Sequence, residues 1–334
     1  MRIGLIGTGR IGTFHAGVLS RHREVGALVV ADTDAQRARA VATRIDATAA
    51  PSVDEIFKWG VDAVVIASTT ASHADLIGRA ARAGLPAFCE KPISVDLPGT
   101  LGALREVAAA GTVLQLGFMR RFDAGFGKAR ELVRSGQLGR LHTIRAITAD
   151  PAPPPAEYLP LSGGLYRDCL VHDFDMLRWI TGHEVVEVYA TGSDAGDAVF
   201  RAAGDVGTAA AVLTLDDGTL VSATATRFNG AGYDVRMELS GESDTVVVGL
   251  DDRTPISSTE PKGPPAADKP WTGFLERFAP AYEAELGAFI QVAIGGADNP
   301  CDGREALEAL RIAEACELSR RERRPVRMEE IPGL

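Results

Sequence analysis

The sequence predicts an α/β plus α+β fold, in which a doubly wound parallel sheet precedes an α+β domain built on a largely antiparallel, open sheet. Up to about residue 118, short unbroken apolar runs alternate with helical patterns, which is typical of parallel strands covered on both faces. From residue 141 onward, apolar and polar residues alternate with a period of two, which is typical of antiparallel strands. We therefore expect two domains, residues 1–118 and residues 119–334.

The composition is that of an ordinary globular protein: 334 residues, 46% hydrophobic and 24% charged. The formal net charge is −10 and no basic run is present, which argues against a nucleic-acid partner. There is no leader pattern before the first strand and no apolar span of membrane length, so we expect a cytoplasmic protein without a membrane partner. The four cysteines show no C-x-x-C spacing, so we expect neither a metal site nor disulfides.

Strands and helices alternate through the first predicted domain. Strands are predicted at residues 2–7, 25–31, 61–67 and 112–117, and a further one runs from residue 85 into two charged residues at 90 and 91. Helices are predicted to begin near residues 10, 34, 52, 72 and 96. Ligands of parallel sheets collect at the carboxyl ends of the strands, so the residues that follow each strand are the candidates for a binding site.

A glycine motif follows the first strand. Gly7, Gly9 and Gly12 stand at G-x-G-x-x-G spacing between a strand and a helix, as in a Rossmann dinucleotide-binding domain. The first glycine permits a tight turn, the second lets a pyrophosphate approach the backbone, and the third lets the helix pack closely, with its N-terminal dipole facing the anion. We expect the whole motif to bind the cofactor: Gly7, Thr8, Gly9, Arg10, Ile11 and Gly12.

Asp32 ends the second predicted strand, twenty positions after Gly12. A carboxylate there accepts hydrogen bonds from the adenosine ribose and repels a 2′-phosphate, which favours NAD over NADP as the cofactor. The alternative is that Asp32 merely begins a turn. Arg37 and Arg39 have the charge to meet a 2′-phosphate, but both fall within the next helical pattern, where we expect them to be solvated.

The third strand is followed by hydroxyl-bearing residues. Ser68 and Thr69 are predicted to line the cofactor, and an ordinary helix-capping role explains them equally well. His73 is expected in the first turn of the next helix, near the nicotinamide ribose, with capping again as the alternative.

Glu90 and Lys91 end the next strand. Charges do not belong within a buried strand, so both are expected at its carboxyl end, where they are predicted to contact the cofactor and where substrates lie. Lys91 is a catalytic candidate because a lysine in a desolvated site can have a depressed pKa or can stabilise a developing alkoxide. Pro92 fixes the local backbone and permits a cis bond.

The second predicted domain mixes helices with period-two strands. Asp217-Gly218 between two such runs predicts a hairpin. Proline-rich loops at residues 151–160 and 255–270 are too long for simple turns, and each is a candidate for a lid or a subunit contact. Strands are predicted at 141–148, 185–190, 208–215, 220–228, 235–239 and 245–248, and helices at 124–135, 274–294 and 304–320.

A polar stripe on an otherwise apolar helix carries the candidate chemistry. At about 100° per residue, Asp168, His172, Asp175 and Trp179 fall on one side of a helix. The stripe faces either a solvent edge or a lined cavity, and Trp179 on it argues somewhat against a solvent edge. A dinucleotide-dependent oxidation needs a base, and a histidine of near-neutral pKa suits that task. Asp168 can orient the imidazole and stabilise its cation, or hold a substrate hydroxyl.

Over its whole length the sequence resembles the glucose-fructose oxidoreductase and inositol dehydrogenase family. The motifs that carry the resemblance are the glycine motif at residues 7–12, Cys89-Glu90-Lys91-Pro92, and Asp168-x-x-x-His172 followed by Asp175. Within the family, residues 117–123, 172–175 and 232–234 are most similar to the inositol dehydrogenase subgroup.

The resemblance implies a catalytic set of Lys91, Asp168 and His172, with His172 as the base. It also implies that Met119, Arg120 and Tyr233 line the substrate site, so the expected activity is NAD-dependent oxidation of a ring hydroxyl of a cyclic polyol or sugar. Family members are commonly tetramers joined through the open sheet face, which implies a homo-oligomer here. A related sugar dehydrogenase or reductase, a redox-assisted glycosidase that keeps its NAD, and an NAD-binding regulator without chemistry are the alternatives.

Overall fold

The computed structural model describes residues 1–194 and 196–334, which form two compact units. The first unit comprises Met1–Met119, Pro280–Leu307 and Leu334, and the second comprises Arg120–Ala279 and Glu308–Gly333. The sequence division at residue 118 assigns residues 280–307 to the second domain, whereas these residues group with the first unit. In that unit the backbone N–H of Leu116 donates to the carbonyl of Cys301 at 2.9 Å, and the Asn299 amide donates to the carbonyl of Leu114 at 2.8 Å.

The first unit is a parallel sheet with helices, as predicted. Its six strands lie in the order β3-β2-β1-β4-β5-β6, and every pairing is parallel. The strands are β1 (Arg2–Ile6), β2 (Ala27–Ala31), β3 (Thr48–Ala49), β4 (Ala63–Ile66), β5 (Ala87–Glu90) and β6 (Leu114–Gly117). The helices are α1 (Arg10–Arg21), α2 (Ala35–Ile45), α3 (Val53–Ile56), α4 (His73–Arg82) and α5 (Leu97–Ala110). The strand order reverses between β1 and β4, the place where doubly wound sheets bind nucleotides.

Apolar burial on both sheet faces holds this unit together. Its core contains five fully buried residues of the sheet: Ile3, Leu5, Val30, Val65 and Phe88. Leu286 and Phe289 pack into the same core. Each such buried side chain contributes about 1.5–3 kcal/mol. The core explains why unbroken apolar runs predicted the strands correctly, whereas β3 is two residues long and carries no such run.

The second unit is built on a mixed, mostly antiparallel sheet, as predicted. Its seven strands lie in the order β12-β11-β7-β10-β9-β8-β13, and only the pairing of β10 with β7 is parallel among the described residues. The hairpin predicted at Asp217-Gly218 joins β9 to β10, with Gly218 at φ +88°. The strands are β7 (Leu141–Ala149), β8 (Val185–Ser193), β9 (Thr208–Leu215), β10 (Leu220–Thr226), β11 (Asp234–Gly241), β12 (Thr245–Val248) and β13 (Val326–Arg327).

The two faces of this sheet differ in chemistry. One row across five strands is buried and consists of Ala190, Ala211, Ala223, Ala146 and Met237. The neighbouring row points the other way and is half-buried to exposed: Tyr189, Val212, Ser222, Arg145 and Glu238. The second unit therefore has an open sheet face, as the period-two pattern predicted.

The remaining helices are α6 (Ala124–Arg134), α7 (Val171–Thr181), α8 (Ala198–Ala202), α9 (Phe274–Arg277), α10 (Ala279–Ala293) and α11 (Gly303–Glu322). The single helix predicted at residues 274–294 is thus two helices, and the short α8 was not predicted. A π-helical turn, Tyr166–Leu170, leads into α7, so the regular 100° spacing assumed from Asp168 to Trp179 does not hold. In the described part of the chain no helix has the length and apolarity needed to cross a membrane.

Candidate active site

The glycine motif forms a turn between β1 and α1 in which each glycine has a different environment. Gly7 has φ +98°, and a Cβ there would lie 2.5 Å from the carbonyl of Ala67. A Cβ on Gly12 would lie 2.0 Å from the carbonyl of Gly7, so the helix packs directly on the turn. Gly9 is exposed, and no described atom would lie within 4 Å of its Cβ. This open backbone at a helix N-terminus fits the approach of a pyrophosphate.

Asp32 follows β2 and faces the glycine turn. Its Oδ2 accepts hydrogen bonds from the Thr8 backbone N–H at 2.7 Å and from the Thr8 hydroxyl at 2.9 Å. Burial opposes ionisation of Asp32, but hydrogen bonds from Arg37, Asp34 and Thr8 outweigh it and hold the pKa well below its ordinary value. The carboxylate therefore stays charged at neutral pH. Arg37, expected to be solvated, instead pairs with Asp32 at 2.6 Å.

The turn after β4 holds the next predicted residues. Ser68 Oγ lies 2.7 Å from Ser72 Oγ, and the exposed Thr69 precedes a short 3₁₀ turn without capping it through its side chain. His73 begins α4 as predicted, but its ring is 1% exposed and contacts two carbonyl oxygens, those of Pro92 at 2.7 Å and Ser68 at 3.1 Å. Burial lowers the pKa of His73, and the carbonyl contacts only partly oppose that effect.

Glu90 and Lys91 lie at the carboxyl end of β5, where their charges predicted them. Glu90 is the last residue of the strand and Lys91, half-buried, follows it, with a cis bond to Pro92. Glu90 is 9% exposed, and its Oε1 lies 2.6 Å from Nε2 of His15 on α1. His15 was not among the predicted site residues. The sequence pattern could have indicated its burial, because on α1 it lies on the same face as Gly12, Ala16 and Leu19, which are buried.

In the second unit, Asp168 lies on the π-helical turn and His172 in the first turn of α7. Asp168 is half-buried and His172 is 9% exposed. Nearly all of α7 is buried, as the apolar pattern predicted. Asp175, placed by sequence on the same stripe, is fully buried and accepts a hydrogen bond from Arg121 Nη2 at 2.6 Å through its Oδ1.

Three residues missed by the sequence reasoning surround Asp168. Arg227 donates from Nη2 to Asp168 Oδ2 at 2.5 Å and from Nη1 to Asp150 Oδ2 at 2.6 Å. The Tyr158 hydroxyl, from the proline-rich loop, donates to Asp168 Oδ1 at 3.1 Å. Burial and then the Asp168 charge raise the pKa of Tyr158, so it remains a donor. Arg227 had a detectable signal, because it continues the buried alternation of Val221, Ala223 and Ala225.

The three residues implied as substrate-lining are all deeply buried. Met119 is 2% exposed, Tyr233 is 4% exposed and Arg120 is 1% exposed. Arg120 binds Asp173 at 2.7 Å and the Thr148 hydroxyl at 2.9 Å, and that hydroxyl donates to Asp173 at 2.7 Å. This closed triangle fixes the Arg120 side chain beneath α7.

The parallel sheet and the open glycine turn define a dinucleotide-binding domain of the Rossmann type. Residues 1–118 match the model of the oxidoreductase family with an NAD-binding Rossmann fold, and residues 126–247 match that of the GFO/IDH/MocA C-terminal domain. The chain belongs to the GFO/IDH/MocA family of oxidoreductases, as the motifs predicted.

Individual relatives are similar over their full length. The myo-inositol dehydrogenase of Streptomyces leeuwenhoekii is 38% identical over 327 residues, which cover 96% of this chain and 97% of the relative. The myo-inositol 2-dehydrogenase of Thermotoga maritima is 36% identical, with 100% of both chains covered. The crystal structure of the Lactobacillus casei scyllo-inositol dehydrogenase with bound NAD(H) and scyllo-inositol has a TM-score of 0.88 at 27% identity, covering 98% of this chain and 99% of that one.

Proposed function

We propose that this protein is an NAD-dependent dehydrogenase that oxidises a ring hydroxyl of myo-inositol, or of a closely similar cyclic polyol, to the ketone. The observation that carries the proposal is the similarity, across all of both chains, to an enzyme named as a myo-inositol 2-dehydrogenase. The presence of Lys91, Asp168 and His172 in this chain supports chemistry rather than mere cofactor binding.

His172 is the proposed general base. Oxidation of an alcohol removes the proton of the hydroxyl group and a hydride from the carbon that bears this group. Bound NAD would supply the hydride acceptor. A neutral imidazole accepts that proton at neutral pH. Its near-complete burial supports this role, since a base shielded from water acts on the substrate rather than on solvent.

Lys91 is the proposed electrophilic partner of the same hydroxyl. Its ammonium donates a hydrogen bond to the substrate oxygen and so stabilises the negative charge that develops as the proton leaves. Its place immediately after β5 supports this role, because the end of a parallel strand is a fixed platform.

Asp168 is the proposed orienting carboxylate, either of His172 or of a neighbouring substrate hydroxyl. Arg227 and Tyr158 fix both of its oxygens, which supports a rigid acceptor. Met119, Arg120 and Tyr233 are proposed to form the wall of the polyol site. Ser68, Thr69 and His73 are proposed to contact the cofactor, together with the glycine motif at residues 7–12 and Asp32.

We also propose that the protein works as a homo-oligomer, a tetramer in the family pattern, with the open sheet face of the second unit as the contact. The exposed Tyr189 and Val212 on that face support it, at 45% and 54% exposure. Large exposed apolar residues in one row are typical of an interface.

The test is a panel of inositols and aldoses with NAD and NADP, followed by absorbance of the reduced cofactor. We expect steady accumulation of NADH with myo-inositol or a near isomer. NAD that copurifies with the protein, together with hydrolysis of a glycoside and no net NADH, would favour the redox-assisted glycosidase instead. Absence of turnover with every polyol and sugar would contradict the proposal.

A further inference from the structure

Two buried histidines hold the chain on either side of Lys91. His15 Nε2 lies 2.6 Å from the carboxylate of Glu90, the residue before Lys91. His73 Nδ1 lies 2.7 Å from the carbonyl oxygen of Pro92, the residue after it. The two rings are 0% and 1% exposed, and all five residues belong to the first unit.

The proton of His15 is placed by its surroundings. A carboxylate only accepts hydrogen bonds, so Nε2 donates to Glu90. Nδ1 has no hydrogen-bond partner within residues 1–194 and 196–334, and a proton there would be a buried donor without an acceptor. We therefore place the single N–H of His15 on Nε2. The ring is fixed from both sides by Phe88 and Tyr282, at centroid distances of 5.7 and 5.8 Å.

The protonation of His73 follows from its burial. Burial lowers its pKa, so the ring carries one N–H at neutral pH. Both of its neighbours are carbonyl oxygens, and the contact of 2.7 Å to Pro92 is shorter than that of 3.1 Å to Ser68. The N–H therefore belongs on Nδ1, where it holds the Pro92 carbonyl and ties the end of β5 to the first turn of α4.

We propose that His15 and His73 are positioning residues for Lys91, which through Glu90 and Pro92 fix the backbone from which the lysine reaches the substrate hydroxyl. The inference rests on the proposed function, in which Lys91 acts on that hydroxyl. A misplacement of about 1 Å in a catalytic group costs a large factor in rate. Without such a role, two buried imidazoles would lower the stability of the protein, because a phenylalanine ring fills a similar space without the cost of desolvating polar nitrogens.

The arrangement also connects Lys91 to the cofactor site. His15 lies on α1, three residues after Gly12, and the same helix begins at the glycine turn. The N-terminal end of α1 is the proposed pyrophosphate site, and the next turn of the helix holds Glu90 through His15. Helix α1 would therefore fix the positions of both the cofactor and Lys91.

The first test reads Lys91 directly and needs no substrate. The full-length protein is labelled with trace acetic anhydride across pH 7–10, and each lysine is quantified by mass spectrometry. The chain has four other lysines, at 58, 128, 262 and 269, which serve as internal controls. We expect His15→Phe and His73→Phe each to change the relative labelling rate of Lys91 by about threefold or more.

Conservative variants separate positioning from folding. His15→Gln keeps a donor near Nε2, and His73→Asn keeps one near Nδ1, so both should restore the labelling rate of Lys91. Glu90→Met, which has a similar length but offers no acceptor to the Nε2 proton, should resemble His15→Phe and covers the case in which a phenylalanine variant does not fold. An unchanged Lys91 rate in folded His15→Phe, His73→Phe and Glu90→Met would overturn the proposal.

The second test uses turnover. His15→Phe should lower kcat about tenfold with the KM for NAD nearly unchanged, and should add little to the loss already present in Lys91→Met. Multiplicative losses in the double variant would overturn the positioning role while leaving the proposed function intact. If the wild-type protein oxidises no polyol, the proposed function fails, and the labelling experiment still decides whether the histidines control Lys91.

Discussion

Arg37 binds both carboxylate oxygens of Asp32, with Nη2 2.6 Å from Oδ1 and Nε 3.2 Å from Oδ2. The same carboxylate accepts a hydrogen bond from the Thr8 backbone N–H. Asp32 therefore links the glycine turn to helix α2, which carries Arg37. The Arg37 side chain is 48% exposed, and its partner only 5%. An arginine that could bind a 2′-phosphate is thus held by the residue that is predicted to exclude one.

Asp32→Ser should therefore shift the cofactor preference. Loss of the carboxylate removes the acceptor for the ribose hydroxyls and releases Arg37 to pair with a 2′-phosphate. We expect the ratio of kcat/KM for NADP to that for NAD to rise by about 10- to 100-fold. The double variant Asp32→Ser/Arg37→Gln is the control, and an equal rise in it would show that Arg37 plays no part.

His172→Ala should reduce kcat by a factor on the order of 10² or more, since the general base is lost. The matched control is His142→Ala on β7, whose side chain is 57% exposed and which should retain full turnover. Initial rates of NADH formation with myo-inositol decide the matter. Near-normal turnover in His172→Ala would show that His172 is not the general base.

Arg227→Met should destabilise the protein by about 3 kcal/mol, because Asp150 and Asp168 would lose the buried cation between them. The Arg227 side chain is 5% exposed. The control is Arg201→Met, which removes an ion pair to Asp194 from a side chain that is 67% exposed and should leave the unfolding midpoint unchanged. Equal urea midpoints for both variants would contradict the structural importance of Arg227.

The buried His73 should make stability fall on mild acidification. Its folded-state pKa is lowered from 6.5, so below that pH the unfolded chain takes up a proton that the folded protein does not. Its contribution is therefore fully present above about pH 6.5 and is lost as the pH falls toward the lowered pKa, at up to about 1.4 kcal/mol per pH unit. Urea unfolding at pH 7.5, 6.5 and 5.5 should show a smaller decline in His73→Asn than in the wild type, and parallel curves would refute this.

Val212→Glu should break the proposed oligomer. The substitution places a charge in the middle of the exposed sheet row, next to Tyr189 on β8. Ile294→Glu, at a residue that is 51% exposed and lies just after α10, is the control. Light scattering coupled to gel filtration should give a smaller mass for Val212→Glu alone, and a wild-type monomer would contradict the proposal at once.

Local patterns predicted most of the fold. Unbroken apolar runs located the longer parallel strands, and period-two runs located the open sheet. The charges of Glu90 and Lys91 correctly placed the end of β5, because a buried strand does not tolerate unpaired charges. The glycine spacing predicted the turn, and Gly9 faces open space as that role demands.

What local patterns missed depends on partners distant in sequence. Glu90 and His15 are 75 positions apart, and Arg227 and Asp168 are 59 apart, so neither pair leaves a periodic signal. The stripe drawn from Asp168 to Trp179 assumed regular helical spacing, which the π-helical turn breaks. Asp175 lies in the regular α7, three residues after His172, and pairs with Arg121, which is 54 positions away in sequence.

The buried row of the second sheet, with Ala190, Ala211, Ala223 and Ala146 side by side, bears on how such a chain can diverge. An alanine has almost no side-chain volume to give up, so one enlarged side chain in this row cannot be offset by smaller alanine neighbours and would overpack the interior. The opposite row has no such constraint. Across descendants of this chain, new assemblies should thus arise on the outer face, while the inner one stays fixed and preserves the scaffold beneath them.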